Sequence, residues 1–84
     1  MTRYTVVWVQ SAEDELVDIW LDGDDRKEVT AATNAIDHEL RTNADTKGVL
    51  LSEGLRSLNA FPLRAIFTVR VDDRVAEVLR VLRI

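Results

Sequence analysis

Leu63–Val71 sets an apolar residue at every second position, and Asp72-Asp73 separates it from the Val- and Leu-rich segment Arg74–Ile84. Few structures other than an antiparallel β-hairpin accept that pattern. Leu63, Ala65, Phe67, Val69 and Val71 point one way from the first strand, and Arg64, Ile66, Thr68 and Arg70 point the other. Asp72-Asp73 supplies a two-residue turn. Pairing Val71 with Arg74 sets the register, which puts Ala76, Val78, Leu82 and Ile84 on the face of Phe67 with Arg80 as its one misfit. The opposite face then carries Arg64, Ile66, Thr68, Arg70, Val75, Glu77, Leu79, Val81 and Arg83. On an uncovered sheet, a contiguous patch of Ile66, Val75, Leu79 and Val81 is a surface for a partner.

The rest of the chain must cover the Phe67 face. Tyr4 to Val9 is rich in β-branched and aromatic residues and reads as a strand, with Val6 and Trp8 on one face and Val7 and Val9 on the other. Ser11-x-x-Asp14 has capping-box spacing and opens a first helix. Ala12, Leu16, Ile19 and Trp20 form its apolar face, widened by Val17 and Leu21. Both Trp8 and Trp20 are expected in the core. Gly23 stands where a C-terminal cap is needed, and Asp25-x-x-Glu28 starts a second helix. That helix carries the stripe Val29, Ala32, Ile36 and Leu40 and ends near Asn43. His38 lies off the stripe and is expected in solvent. So short a link makes the helices an antiparallel hairpin. Gly48 to Leu51 is a candidate short strand, Gly54 to Leu58 a better one, and Asn59 to Pro62 a turn. The expected fold is α+β: an N-terminal strand and an antiparallel two-helix hairpin packed on one face of a mainly antiparallel sheet of about four strands. Residues 1–84 are read as a single domain.

Composition removes several classes of function. The chain has no cysteine, which excludes disulfides, thiolate metal sites and cysteine nucleophiles. No cofactor is expected. Asp22, Asp24 and Asp25 lack the spacing of a calcium loop and suit helix capping better, so no metal is expected either. No apolar run approaches the roughly 20 residues of a membrane helix, and the N-terminus lacks a signal-peptide layout. A cytoplasmic location without membrane contact is expected. The net charge of −4 argues against nucleic-acid binding through a generally basic surface. It conceals an asymmetry, because Ser11–Glu28 holds eight acids and two bases whereas Gly54–Ile84 holds six arginines and three acids. Arginine suits bidentate recognition of carboxylate or phosphate.

Three segments, YTVVWVQSAEDELVDIWL, AIDHELRTNAD and GLRSLNAFPLRAIFTVRVDDRVAEVLRV, follow one another in an order and spacing that resembles the RelE/ParE superfamily of toxins. Ala44 stands where that pattern usually has proline. The resemblance spans essentially the whole chain and implies the toxin of a type II toxin–antitoxin (plasmid stabilisation) pair. Its partner would be a cognate antitoxin laid over the toxin as an extended or helical segment. Relatives of the RelE kind cut mRNA on the ribosome, and those of the ParE kind poison DNA gyrase. By resemblance Arg56 and Arg64, with Arg83, are the catalytic candidates of a nuclease, where they would offset charge on the scissile phosphate. RelE-like nucleases also carry further basic residues and a Tyr or His near the C-terminus. The segment Arg74–Ile84 holds no Tyr or His, and the chain's only His and Tyr are His38 and Tyr4. This departure favours a ParE-like, protein-targeting reading over an enzyme, with a non-toxic interaction module as a further alternative. The surface expected to receive a partner is Ile66, Leu79, Val81, Arg64 and Arg83. A homodimer is a further expected assembly.

Overall fold

The computed structural model describes residues 1–84. Its elements in chain order are β1 (Thr5–Trp8), α1 (Gln10–Asp22), α2 (Arg26–Leu40), a short 3₁₀ turn (Ala44–Thr46), β2 (Val49–Ser52), β3 (Leu55–Ala60), β4 (Leu63–Arg70) and β5 (Val75–Arg83). The five strands form one sheet in the order β1-β5-β4-β3-β2. Only β1 runs parallel to its neighbour, β5; the other pairs are antiparallel. Both helices lie on one face, α1 against β5 and α2 against β3 and β4. This is the expected α+β architecture with five strands instead of about four, because Val49–Ser52 and Leu55–Ala60 both join the sheet.

The core lies between helices and sheet. Val29, Ala32, Ile36 and Leu40, the predicted stripe of α2, are all buried. They meet Leu63, Ala65 and Phe67 of β4 and Ala76, Val78 and Val81 of β5. Val6 and Trp8 flank this core from β1, as their alternation requires.

Several local expectations are corrected. α1 begins at Gln10, not after Ser11. The Val9 N–H closes the sheet on the Val78 carbonyl (3.1 Å), and the Val9 carbonyl accepts the first helical N–H groups, from Ala12 and Glu13 (3.0 Å each). Ser11 thus falls inside the helix, and Asp14 accepts from Gln10 (2.9 Å). Gly23 is extended (φ −118°) and makes no left-handed cap. A Cβ there would stand 2.5 Å from Asp25 Oδ1 and 2.8 Å from an Arg83 nitrogen, so glycine leaves room for the side-chain ends of the Asp25–Arg83 contact. α2 ends at Leu40, and Asn43 takes a left-handed conformation (φ 50°) that asparagine tolerates.

The largest correction concerns β5. Arg70 pairs with Val75 and Phe67 with Val78, but Ile66 pairs with Arg80. Leu79 is the extra residue of a β-bulge, which reverses the facing of every later position. Val81, expected on the outer face, is 1% exposed in the core, and Leu82, expected in the core, moves to the outer face. The same bulge takes Arg80 off the helix-covered face and removes the misfit that a regular strand would bury.

Candidate functional site

The bulge and the pairing registers separate the three candidate arginines. Arg56 lies opposite Phe67 on the helix side of the sheet, where its Nε donates to the Lys47 carbonyl (2.7 Å). It borders a depression of about 130 Å³ formed with Asp45, Leu50, Gly54, Val69 and Val71. Arg64 pairs with Asn59 and Leu82 on the opposite, outer face, and its Nε donates to Asn59 Oδ1 (2.9 Å). Arg83 lies opposite Leu63 on the helix side. It grips Asp25 at 2.7 and 3.1 Å and donates to the Ile19 carbonyl (3.2 Å). The expectation that Arg64 and Arg83 share a face is therefore corrected. No pair of these arginines converges on a common point, because Arg56 and Arg83 sit on β3 and β5 with β4 between them.

The expected partner patch is also reshaped. Ile66 and Leu79 are half-buried at the outer face, whereas Val81 is withdrawn from it. Val7, Leu55, Val75 and Leu82 also lie on this outer face, with the Arg70–Glu77 ion pair (3.8 Å) among them. No helix packs on this face.

A second apolar surface lies on the helix hairpin. Leu16, Val17, Trp20 and Leu21 of α1 and Val29, Thr30, Thr33 and Asn34 of α2 line a groove of about 380 Å³. Val17, Trp20 and Leu21 are 52%, 38% and 55% exposed, so Trp20 is not the core residue expected. Arg26 stacks over its indole at 4.4 Å and donates to its carbonyl (3.2 Å). The width of the apolar arc of α1 is the signal in the sequence. One sheet covers Ala12, with Leu16 and Ile19 at its margin, and leaves Val17, Trp20 and Leu21 outside. Of the acids counted above in the α1–α2 segment, Glu15 and Asp25 are paired with Arg80 and Arg83, and none lines the groove itself.

A third concavity, about 410 Å³, is formed by Met1, Arg3, His38, Arg41 and Thr42. His38 is exposed as expected, and Arg41 is committed to Asp37 at 2.7 Å. No group of three His, Asp or Glu side chains is placed to hold a metal ion.

Electrostatics marks structural clasps, not a reacting group. Arg80 hydrogen bonds hold the Glu15 carboxyl below the usual carboxylate range, aided by the Val81 N–H, against the opposing effect of burial. Arg83 lowers Asp25 in the same way and is itself raised by that contact. Burial, then the hydrogen bond to Asp45 (3.2 Å), pushes the Tyr4 phenol up.

Two solved structures share this fold over nearly the whole chain. A chain of the toxin–antitoxin complex RelBE2 from Mycobacterium tuberculosis superposes with a TM-score of 0.76 at 20% identity, covering 100% of this chain and 94% of its own length. A chain of the chromosomal ParDE toxin–antitoxin system from P. aeruginosa gives a TM-score of 0.67 at 22% identity, covering 98% and 97% respectively. No protein-family model and no curated protein matches the sequence. At these identities the likeness is one of fold, and the fold is the RelE/ParE toxin fold that the sequence motifs resemble. No helix is long and apolar enough to cross a membrane.

Proposed function

We propose that this chain is the toxin of a type II toxin–antitoxin pair, acts on a protein target in the ParE manner and is held inactive by an antitoxin. The observation that carries the reading is the full-length match of its fold to chains from two toxin–antitoxin complexes. The choice of a protein target rests on the dispersal of Arg56, Arg64 and Arg83. A nuclease needs cationic groups gathered around one phosphate, together with a group that moves a proton. Here one arginine is on the outer face, one is bound to a backbone carbonyl and one to Asp25.

The antitoxin's seat in this proposal is the α1–α2 groove. Its apolar floor of Val17, Trp20 and Leu21 suits the apolar face of an amphipathic helix. The outer-face positions Ile66, Leu79 and Arg64 form a second contact for an extended portion of the same segment. In a binding assay with the antitoxin, Leu21→Glu then abolishes the complex and Leu79→Glu weakens it, with the fold intact in both. Unchanged affinity in Leu21→Glu removes the groove from the proposal.

A RelE-like endoribonuclease is the second reading, favoured by the higher TM-score with the RelBE2 chain. Tightly controlled expression in a bacterial culture separates the two. Growth arrest in which DNA synthesis fails first supports the ParE-like reading. Arrest in which translation fails first, relieved by Arg56→Ala or Arg64→Ala, supports the nuclease. Undisturbed growth with soluble, folded protein overturns both and leaves an interaction module on a toxin fold.

A further inference from the structure

We propose that Arg26 is the positioning residue of the α1–α2 groove, fixing the Trp20 indole as the anchor on which a partner helix seats. The inference deepens the antitoxin seat proposed above and rests on it. Arg26 is the first residue of α2. A helix start disfavours a cation, because that end of the helix dipole is itself positive. Ion pairing does not explain its place either. Asp22, Asp24, Asp25 and Glu28 surround it in sequence, yet Arg26 joins none of the chain's ion pairs. Its guanidinium turns to Trp20 instead. It lies 4.4 Å from the centre of the indole ring, and Nε donates to the Trp20 carbonyl at 3.2 Å. The hydrogen bond ties the cation to the backbone of the residue whose ring it covers, so the stack is held at both ends.

The groove needs such a restraint. Trp20 is exposed where the sheet stops short of it, and an indole there is free to turn between staggered conformers. Arg26 is not among the residues that line the groove, so it holds the ring from outside and leaves the floor open. An aromatic side chain fixed beforehand has little freedom left to lose on binding. Trp is also among the side chains most enriched at interface anchors. The lining selects the occupant. Leu16, Val17, Trp20, Leu21 and Val29 are apolar, and no charged side chain lines the groove. Thr33 donates its hydroxyl to the Val29 carbonyl of its own helix (2.8 Å). A charge seated here would lose water without gaining a counter-charge. The occupant is therefore the uncharged, apolar face of an amphipathic helix, with anchors at i, i+3 and i+4 and its own charges held outside.

The test is made on the purified full chain. In a Trp8→Phe background Trp20 is the sole tryptophan. There, Arg26→Ala should erase the near-ultraviolet circular dichroism of Trp20 and raise its quenching by acrylamide, with the far-ultraviolet spectrum unchanged. Arg26→Lys keeps a cation without the planar stack and should fall between the two. The groove itself is probed with PRODAN, an uncharged dye that brightens on apolar surfaces. Arg26→Ala should raise the dye's dissociation constant about two- to fivefold, the worth of an exposed cation–π contact. In a Trp20→Ala background the same change should have no further effect, because Arg26 acts through the ring. Trp20 spectra that ignore Arg26→Ala overturn the proposal. An equal loss of dye affinity with and without Trp20 overturns it as well, since Arg26 would then act directly. Undisturbed growth in the expression experiment removes the toxin reading and leaves these measurements standing, so the two failures are distinguishable.

Discussion

Replacing Glu15 tests how the sheet ends. β1 covers β5 only as far as Val78, and beyond that point the Glu15 carboxylate takes the place of a neighbouring strand. One oxygen accepts the Val81 N–H at 3.1 Å, and the other accepts Arg80 at 2.9 and 3.2 Å. Glu15→Ala removes both contacts and leaves a part-buried N–H without its acceptor, which costs about 1–3 kcal/mol. The ion pair adds little, because the Arg80 side chain is 57% exposed and solvent screens it to roughly 0–1 kcal/mol. Glu15→Ala should therefore lower stability by about 1.5–3 kcal/mol. For a chain of this size that is a fall in Tm of roughly 6–24 °C. Glu15→Gln keeps an acceptor for Val81 and loses only the charge, so its deficit should stay under about 1 kcal/mol. The sign of the pH dependence follows from the lowered carboxyl. A group whose folded pKa lies below its unfolded value stabilises above the unfolded value, and that stabilisation is lost as pH falls through the folded one. The gap between wild type and Glu15→Gln should thus be present at neutral pH and close in acid, below about pH 4. Urea unfolding at neutral and acid pH measures both effects. Equal stability of wild type and Glu15→Ala, or a Gln gap that survives in acid, refutes the reasoning.

Further outcomes follow from the same geometry. The bulge at Leu79 predicts that Val81→Thr, which buries a hydroxyl, costs about 1–3 kcal/mol in urea unfolding, whereas Leu82→Thr costs under about 1 kcal/mol; an unbulged strand predicts the reverse order. Gly48→Ala should disrupt β2 as well as strain the backbone, whereas Gly54→Ala (φ +76°, open space around it) should cost only the left-handed penalty of about 1–2 kcal/mol. Amide hydrogen exchange at Val49–Ser52 separates the two. Gly23→Ala should destabilise wild type and have a smaller effect in an Asp25→Ala background, because the added methyl crowds the Asp25–Arg83 contact; a double-mutant cycle by thermal unfolding measures the coupling.

Periodicity made the elements legible wherever one face of an element meets one surface. The α2 stripe and the alternation of β4 are of this kind: Val29, Ala32, Ile36, Leu40, Leu63, Ala65 and Phe67 are buried and Val69 packs at the core's margin, whereas Val71, beyond the end of β4, is exposed. α1 was harder to read because its apolar arc is wider than the sheet can cover. The sequence marks Trp20 as apolar, but it cannot say that the sheet stops short of it. The candidate arginines were legible as residues and not as an arrangement. Which face Arg64 or Arg83 takes depends on pairing, and pairing is a property of two strands.

The chain's own residues determined its class, its helix hairpin and the central β4–β5 hairpin, because local side-chain spacing dictates which way each residue points within its element. Tertiary structure decided the rest. It placed an extra residue at Leu79 because regular pairing would have buried Arg80 and exposed Val81. It bound Arg83 to Asp25 and set Glu15 where no strand reaches. Each of these is a contact between segments far apart in sequence, and its energy does not exist until they meet.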